Sequence, residues 1–271
     1  MNERICVGLI GAGAMGGALM RGWLANGVID PARSAIFDPR VGDSMRALAT
    51  DAGVAVNPAK KDLRVDALVI AVKPQIAADV LPAYAPLAKD ALSISVMAGK
   101  SIASVARALG AAALVARAMP NLPAAIGEGV TGLFAPEGID ARGRAVIERL
   151  MAAVGETVWV ESERGIDLVT AVSGSGPAYF FAMVEALADA GVHAGLDAAA
   201  AAKLARATMT GAGALVARDV RSTAEMRKAV TSPGGTTEAA LGVLDGDDGA
   251  LHRLVREAVA AAARRAGELT D

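Results

Sequence analysis

Two glycine-rich turns near opposite ends of the chain carry the residues best suited to chemistry. The first, Gly11-Ala12-Gly13-Ala14-Met15-Gly16, has the spacing G-x-G-x-x-G, follows an apolar strand-like run and opens a helical pattern. In that context Gly11 permits a tight turn, Gly13 lets the backbone approach a pyrophosphate, and Gly16 lets helix and strand pack closely. The free N–H groups at the helix start then hold the anion. The second turn, within "TSPGGTTEAAL" (231–241), packs one proline, two glycines and four hydroxyls ahead of an apolar helical pattern. Either it is an elaborate helix start or the turn itself binds something. Capping needs one hydroxyl, and this cluster supplies more than that.

Other candidates sort quickly. The second strand-like run ends in "FDPR". A carboxylate at that tip, Asp38, accepts hydrogen bonds from adenosine ribose hydroxyls and favours NAD, whereas Arg40 suits the 2′-phosphate of NADP. The two residues pull in opposite directions, so both NADPH and NADH stay open. "AVKPQ" (71–75) follows the next long apolar run, at the strand end where a ligand crevice forms; Lys73 points to cofactor or to solvent. His193 and His252 are far apart, and neither has a His or Cys partner at metal-ligand spacing, so no metal site is expected. The single cysteine, Cys6, lies in an apolar run and reads as a small buried hydrophobe. Ser173 and Ser175 lack the His/Asp pattern of an activated nucleophile.

The elements that must position these residues fall into two halves. Up to about residue 160, short apolar runs alternate with helical patterns: 5–10, 34–37, 67–72, 91–96 and 113–119 are strand candidates, with Met15 to Asn26 and Ser101 to Leu109 among the helices. Runs that are apolar nearly throughout suit a parallel sheet covered on both faces. The alternation predicts an α/β doubly wound sheet, with 156–160 as a last strand near its edge. After Ser162 no strand pattern follows. Residues 165–217 form a long helical stretch with breaks at 173–177 and 191–196. A clean amphipathic pattern closes the chain (Leu251, Leu254, Val255, Ala258, Val259, Ala262). The expected division is a dinucleotide-binding domain over residues 1–161 and an all-helical domain over 162–271. Gly211 and Gly213 within a helical pattern cost stability relative to Ala, and predict close packing of another helix there.

Bulk properties exclude several classes. The chain has 271 residues, enough for two domains, with 27 basic against 29 acidic side chains. This balance and the 3% aromatic content argue against nucleic-acid binding. Ile5 to Met20 carries glycines unlike a signal-peptide core, and Leu168 to Val184 is short for a membrane span. One cysteine fits a reducing compartment, and a cytoplasmic protein without a membrane partner is expected.

Seven segments together resemble the pyrroline-5-carboxylate reductase family in order and spacing. They are "GAGAMGGAL", "AVKPQ", "MAGKSI", "RAMPNLPAAIGEG", "LVTAVSGSGPAYF", "VEALADAGVHAGL" and "VTSPGGTTEAAL". The resemblance spans nearly the whole chain, and "SGSGPAY" and "TSPGGTT" are far more specific than the glycine turn. It implies an N-terminal Rossmann domain and a helical domain that forms a homo-oligomer, at least a dimer. It further implies the last step of proline biosynthesis: hydride transfer from NAD(P)H to the C=N carbon of 1-pyrroline-5-carboxylate. Cofactor contacts then fall on Gly11 to Gly16, Ala71, Val72, Lys73 and Pro74, and Met97, Ala98 and Gly99. The substrate carboxylate falls on Ser232, Gly234, Gly235 and Thr236, with the Thr237 hydroxyl near the imine nitrogen. Asn121 and Glu128 become supporting residues near the nicotinamide end.

The chemistry agrees with this distribution. A protonated imine is already electrophilic, so no strong general acid is needed, in keeping with the lack of a catalytic histidine pattern. Holding ring and nicotinamide at near-attack distance is the main demand. Two other readings compete. A β-hydroxyacid-dehydrogenase-type enzyme would use a second-domain lysine, here Lys203. A non-enzymatic dinucleotide-binding regulator would need the crevice but not "TSPGGTT".

Overall fold

The computed structural model describes residues 3–60, 63–110 and 113–270. Contacts divide it into two compact units, one of Met1–Ser175 with Ala262–Asp271, the other of Gly176–Ala261.

The first unit is built on an eight-stranded sheet. Its strands are β1 (Val7–Ile10), β2 (Ala35–Phe37), β3 (Ala55–Val56), β4 (Ala67–Ile70), β5 (Leu92–Ser95), β6 (Val115–Met119), β7 (Gly129–Phe134) and β8 (Gly155–Trp159). Their spatial order is 3-2-1-4-5-6-7-8. The connecting helices are α1 (Ala14–Ala25), α2 (Asp43–Ala52), α3 (Ala77–Val80), α4 (Ala85–Ala88), α5 (Ile102–Leu109) and α6 (Ala141–Ala152). Alternate strand residues enter two separate cores. Val7, Leu9 and Val69 pack in a layer with Leu19 and Trp23, while Ile10, Leu68 and Ile70 pack on the opposite face with Leu81 and Leu109. The central strands β1 and β4 are buried along their whole length, so they are apolar throughout rather than alternating. Trp23 is fully buried, and its Nε1 donates to the Leu150 carbonyl at 2.8 Å, joining α1 to α6.

The sheet is not wholly parallel. β7 runs antiparallel to β6, with Ala118 opposite Leu133, while β8 is parallel to β7. β3 and β7 are additions to the strands read from the sequence.

Beyond β8 the chain is helical, through α7 (Glu163–Val169), a π-helical turn at Thr170–Gly174, α8 (Gly176–His193), α9 (Ala198–Arg218), α10 (Thr223–Ala229), α11 (Thr236–Asp245) and α12 (Ala250–Leu269). The break expected at 173–177 falls at the end of that π turn and at Ser175, which lies outside both helices. The extra residue of the π turn carries the chain on into α8, with the Ser175 N–H reaching the Thr170 carbonyl at 2.8 Å. The break at 191–196 does form: Gly195 turns at φ +107° and Asp197 caps α9 by accepting the Ala200 N–H. In the second unit α8 and α9 lie close where Gly191 meets Ala201, but among the described residues nothing beyond the local helix backbone comes within 4 Å of a Cβ built on Gly211 or Gly213. The described residues therefore do not supply the close packing expected at those two glycines.

By packing, α7 and the end of α12 belong with the sheet. Arg117 on β6 is 1% exposed and faces Glu163 and Asp167 of α7 at 3.5 and 3.8 Å. These are ion-pair distances, and none of its guanidinium nitrogens has a hydrogen-bond partner among the described residues. Burial pulls the pKa of Arg117 down, while Asp167 and Glu163 push it back up.

Candidate active site

The sheet order 3-2-1-4 reverses direction between β1 and β4. In open α/β sheets that reversal opens a crevice at the carboxyl ends of the strands. The glycine turn lies there. Gly11 has φ +91°, and a Cβ on it would lie 2.7 Å from the Ala71 carbonyl oxygen. A Cβ on Gly16 would collide with the Gly11 carbonyl, whereas a Cβ on Gly13 would meet nothing within 4 Å. Gly11 and Gly16 are thus required by the fold itself, and Gly13 borders open space. The N–H groups of Ala14, Met15 and Gly16 have no acceptor among the described residues, and α1 has no acidic residue in its first turn. That is the donor set a pyrophosphate needs.

Asp38 is tied into this turn. Its Oδ2 accepts the Ala12 N–H and its Oδ1 the Arg40 N–H, each at 2.8 Å. Asn57, with φ +52°, braces the same strand tip from β3's side: its Oδ1 accepts the Asp38 N–H and its Nδ2 donates to the Asp38 carbonyl. The Arg40 side chain is exposed and makes no ion pair among the described residues. Asn57 was not among the residues singled out from the sequence. Its signal was an asparagine beside Pro58, the residue type most tolerant of a left-handed backbone after glycine.

The neighbouring strand ends complete the crevice. After β4, Ala71 bonds through its N–H to the Ile10 carbonyl, and Pro74 starts a 3-10 turn behind an exposed Lys73. After β5, Met97 is buried in the core, its N–H donating to Ser95 Oγ at 3.3 Å. Ala98 is exposed, and Gly99 turns at φ +64°. Any cofactor contact from 97–99 therefore uses main chain. Asn121 is buried and structural: it donates to the Ser173 carbonyl and accepts the Val130 N–H. Glu128 is exposed.

The second glycine turn belongs to the other unit and is built at the start of α11. Gly234 has φ +71°, Gly235 is the N-cap residue, and no side chain caps the helix. The Gly235 N–H donates to the Ser232 carbonyl at 2.9 Å, and the Gly234 N–H to Glu238 Oε2 at 2.7 Å. The N–H groups of Thr236, Thr237 and Glu238 have no acceptor among the described residues. Four hydroxyls surround this helix start and none caps it, so its donors stay available for an anion.

The remaining candidates carry no chemistry here. Cys6 is buried, and burial, then Asp66, raises its pKa from 9.0 to about 11. His193 meets Asp189 on an exposed helix face, and His252 pairs with Asp245 at 2.7 Å, holding that carboxyl below its usual range. Lys203 is exposed on α9. No cluster of three metal-ligating side chains occurs among the described residues, and no described helix is long and apolar enough to cross a membrane.

Comparison with known proteins agrees with both halves. Residues 163–269 match the pyrroline-5-carboxylate reductase dimerisation family, and residues 6–99 match the NADP oxidoreductase, coenzyme F420-dependent family. The pyrroline-5-carboxylate reductase of Pseudomonas aeruginosa is 38% identical over 269 residues, covering 98% of this chain and 97% of that protein. The enzyme of Haemophilus influenzae is 36% identical, covering 97% of each chain. Among solved structures, a pyrroline-5-carboxylate reductase from Coxiella burnetii superimposes with TM-score 0.89 at 35% identity, covering 99% of this chain and 100% of that one. A Plasmodium falciparum pyrroline carboxylate reductase with NADP bound does so with TM-score 0.80 at 28% identity, covering 99% of each. These matches displace the hydroxyacid-dehydrogenase and regulator readings. With a glycine turn at the sheet's crevice in one unit, an uncapped helix start in the other and relatives of one kind matched over nearly their whole length, the chain belongs to the pyrroline-5-carboxylate reductase family, NAD(P)H-dependent oxidoreductases of proline biosynthesis.

Proposed function

We propose that this chain reduces 1-pyrroline-5-carboxylate with the two glycine turns dividing the labour. The single observation that carries the reading is the set of unpartnered N–H groups at Thr236, Thr237 and Glu238, in a turn where no side chain caps the helix. With Ser232, Gly234, Gly235 and Thr236, they hold the substrate carboxylate at the positive end of α11. The Thr237 hydroxyl, one helical position on, bonds the ring nitrogen and keeps the imine protonated and oriented.

The pyrophosphate of the dinucleotide is held by Gly11 to Gly16, and the adenosine ribose by Asp38 and Arg40. Ala71 to Pro74 and Met97 to Gly99 line the path towards the nicotinamide. When bound, the reduced nicotinamide supplies the hydride. The protein's share is alignment and exclusion of water, for which well-oriented reactants gain about 7–11 kcal/mol. Both NADPH and NADH serve, Asp38 favouring NADH and Arg40 NADPH.

The working form is a homo-oligomer, at least a dimer through the helical unit. Phe180, Phe181 and Leu187 on α8 and Leu204 and Leu215 on α9 are exposed in the single chain, an apolar surface that a second copy covers. A cytoplasmic location is supported by the lone cysteine.

Steady-state reduction of pyrroline-5-carboxylate with each cofactor tests the reading, and inactivity with both overturns it. Thr237→Ala should lower kcat by roughly 10²–10⁴-fold if its hydroxyl takes part in proton transfer, and Thr237→Ser should restore most of it. Unchanged kinetics in Thr237→Ala would remove the assigned role.

A further inference from the structure

We propose that the closing turn of α12, around Leu269 and Thr270, is a positioning element for the cofactor turn Met97–Gly99. The inference rests on the reading of that turn as a cofactor contact. Met97 is anchored in the core, Ala98 is exposed and Gly99 is half-buried, so residues 98–99 are what the turn offers a ligand. That backbone is backed by a distant part of the sequence. A Cβ on Gly99 would lie 2.9 Å from the Leu269 carbonyl oxygen and 3.0 Å from Leu269 Cβ. Leu269 is 52% exposed as a residue, and its carbonyl and Cβ make the close approach.

The closing turn is held in place by Thr270. Its N–H donates to the Gly267 carbonyl at 3.2 Å, and its hydroxyl has the Ala266 carbonyl at 3.0 Å and Asp167 Oδ1 at 3.3 Å as acceptors. Ala266 beneath it is buried. Asp167 is fixed in turn by Arg117 at 3.8 Å. Just after the cofactor turn, the Ile102 N–H donates to Glu163 Oε1 at 2.6 Å, and Glu163 faces the same arginine. Gly99 and Ile102 are therefore each met by segments that sequence places far away, Gly99 by Leu269 and Ile102 by Glu163. A main-chain ligand contact is only as well placed as the segment behind it, and loosening that segment costs affinity through lost preorganisation.

The test uses the full oligomer and equilibrium binding of NADPH and NADH followed by nicotinamide fluorescence. Three variants are compared: a truncation after Glu268, Thr270→Val, and Gly99→Ala, the last also built in the truncated chain. The truncation should raise the cofactor dissociation constant by about threefold to tenfold, with KM for pyrroline-5-carboxylate held within twofold. Gly99→Ala should weaken binding in the full chain by more than it does in the truncated chain, because the Leu269 carbonyl is gone while the strain at φ +64° persists in both. Unchanged cofactor affinity in the truncation, or additive effects of the two changes, overturns the proposal. If the truncated chain does not fold, Thr270→Val decides, a raised dissociation constant supporting the proposal and an unchanged one overturning it. Cofactor affinity indifferent to Gly99→Ala would instead remove the cofactor-turn reading itself.

Discussion

The carboxylate of Glu238 occupies the N–H of Gly234 at 2.7 Å, the same chemical group a substrate carboxylate would present to that turn. An internal acceptor that must yield to an incoming one lowers the fraction of molecules ready to bind. Glu238→Gln keeps the side-chain length and removes the charge. It should lower KM for pyrroline-5-carboxylate by roughly threefold to tenfold, as expected when a competing state is depopulated. Initial-rate measurements over a range of substrate at saturating cofactor check this; a raised KM would mean that the glutamate shapes the turn instead of competing for it.

On the proposed reading, cofactor choice turns on the strand tip after β2. Asp38→Asn retains an acceptor for the Ala12 N–H while discarding the charge that repels a 2′-phosphate. The ratio of kcat/KM for NADPH over NADH should rise by about tenfold, a change of 1.4 kcal/mol. Arg40→Ala should move the same ratio in the opposite direction. A ratio unmoved by both substitutions would place ribose recognition elsewhere.

Gly13 and Gly16 separate binding from folding. A methyl group at Gly13 enters open space, so Gly13→Ala should leave the unfolding temperature within about 2 °C while weakening cofactor binding at least about tenfold. A methyl group at Gly16 collides with the Gly11 carbonyl, so Gly16→Ala should cost about 1–3 kcal/mol of stability as well. Thermal unfolding and cofactor titration, run side by side, resolve the two cases.

The Cys6 thiol makes a pH-dependent contribution with a definite sign. Its folded pKa is raised from 9.0 to about 11, so the folded state holds the proton more tightly than the unfolded state. The associated stability is complete below pH 9.0 and is lost as pH rises towards about 11. Cys6→Ala should flatten the fall in denaturation midpoint across that window, and the native thiol should resist alkylation at pH 8.

Much of this molecule is legible in its sequence, for physical reasons. Strands covered on both faces read as apolar runs, and β1, β4, β5 and β6 all did. β7 did not, because two of its residues must be glycine. A Cβ at Gly129 would meet the Val154 carbonyl oxygen at 2.8 Å, and one at Gly132 would meet Val169 side-chain atoms at 2.6 Å. Tertiary crowding thus wrote glycines into a strand and erased its pattern. β3 is only Ala55–Val56, too short to show any period. The first glycine turn was legible because its requirements are local. The brace from Asn57 to Asp38 was not, since it joins residues from separate strand ends. The break at 173–177 was legible because serine and glycine usually end helices; the widened turn at Thr170–Gly174 that leads into it was not.

The Arg117 cluster has an evolutionary corollary. A guanidinium buried beside Glu163 and Asp167 ties three positions into one heritable unit. Losing either acid leaves the cation undercompensated, and losing the cation leaves two carboxylates facing each other, so single steps away from this arrangement are costly. Substitutions at residues 117, 163 and 167 should therefore appear among descendants of this chain together or not at all.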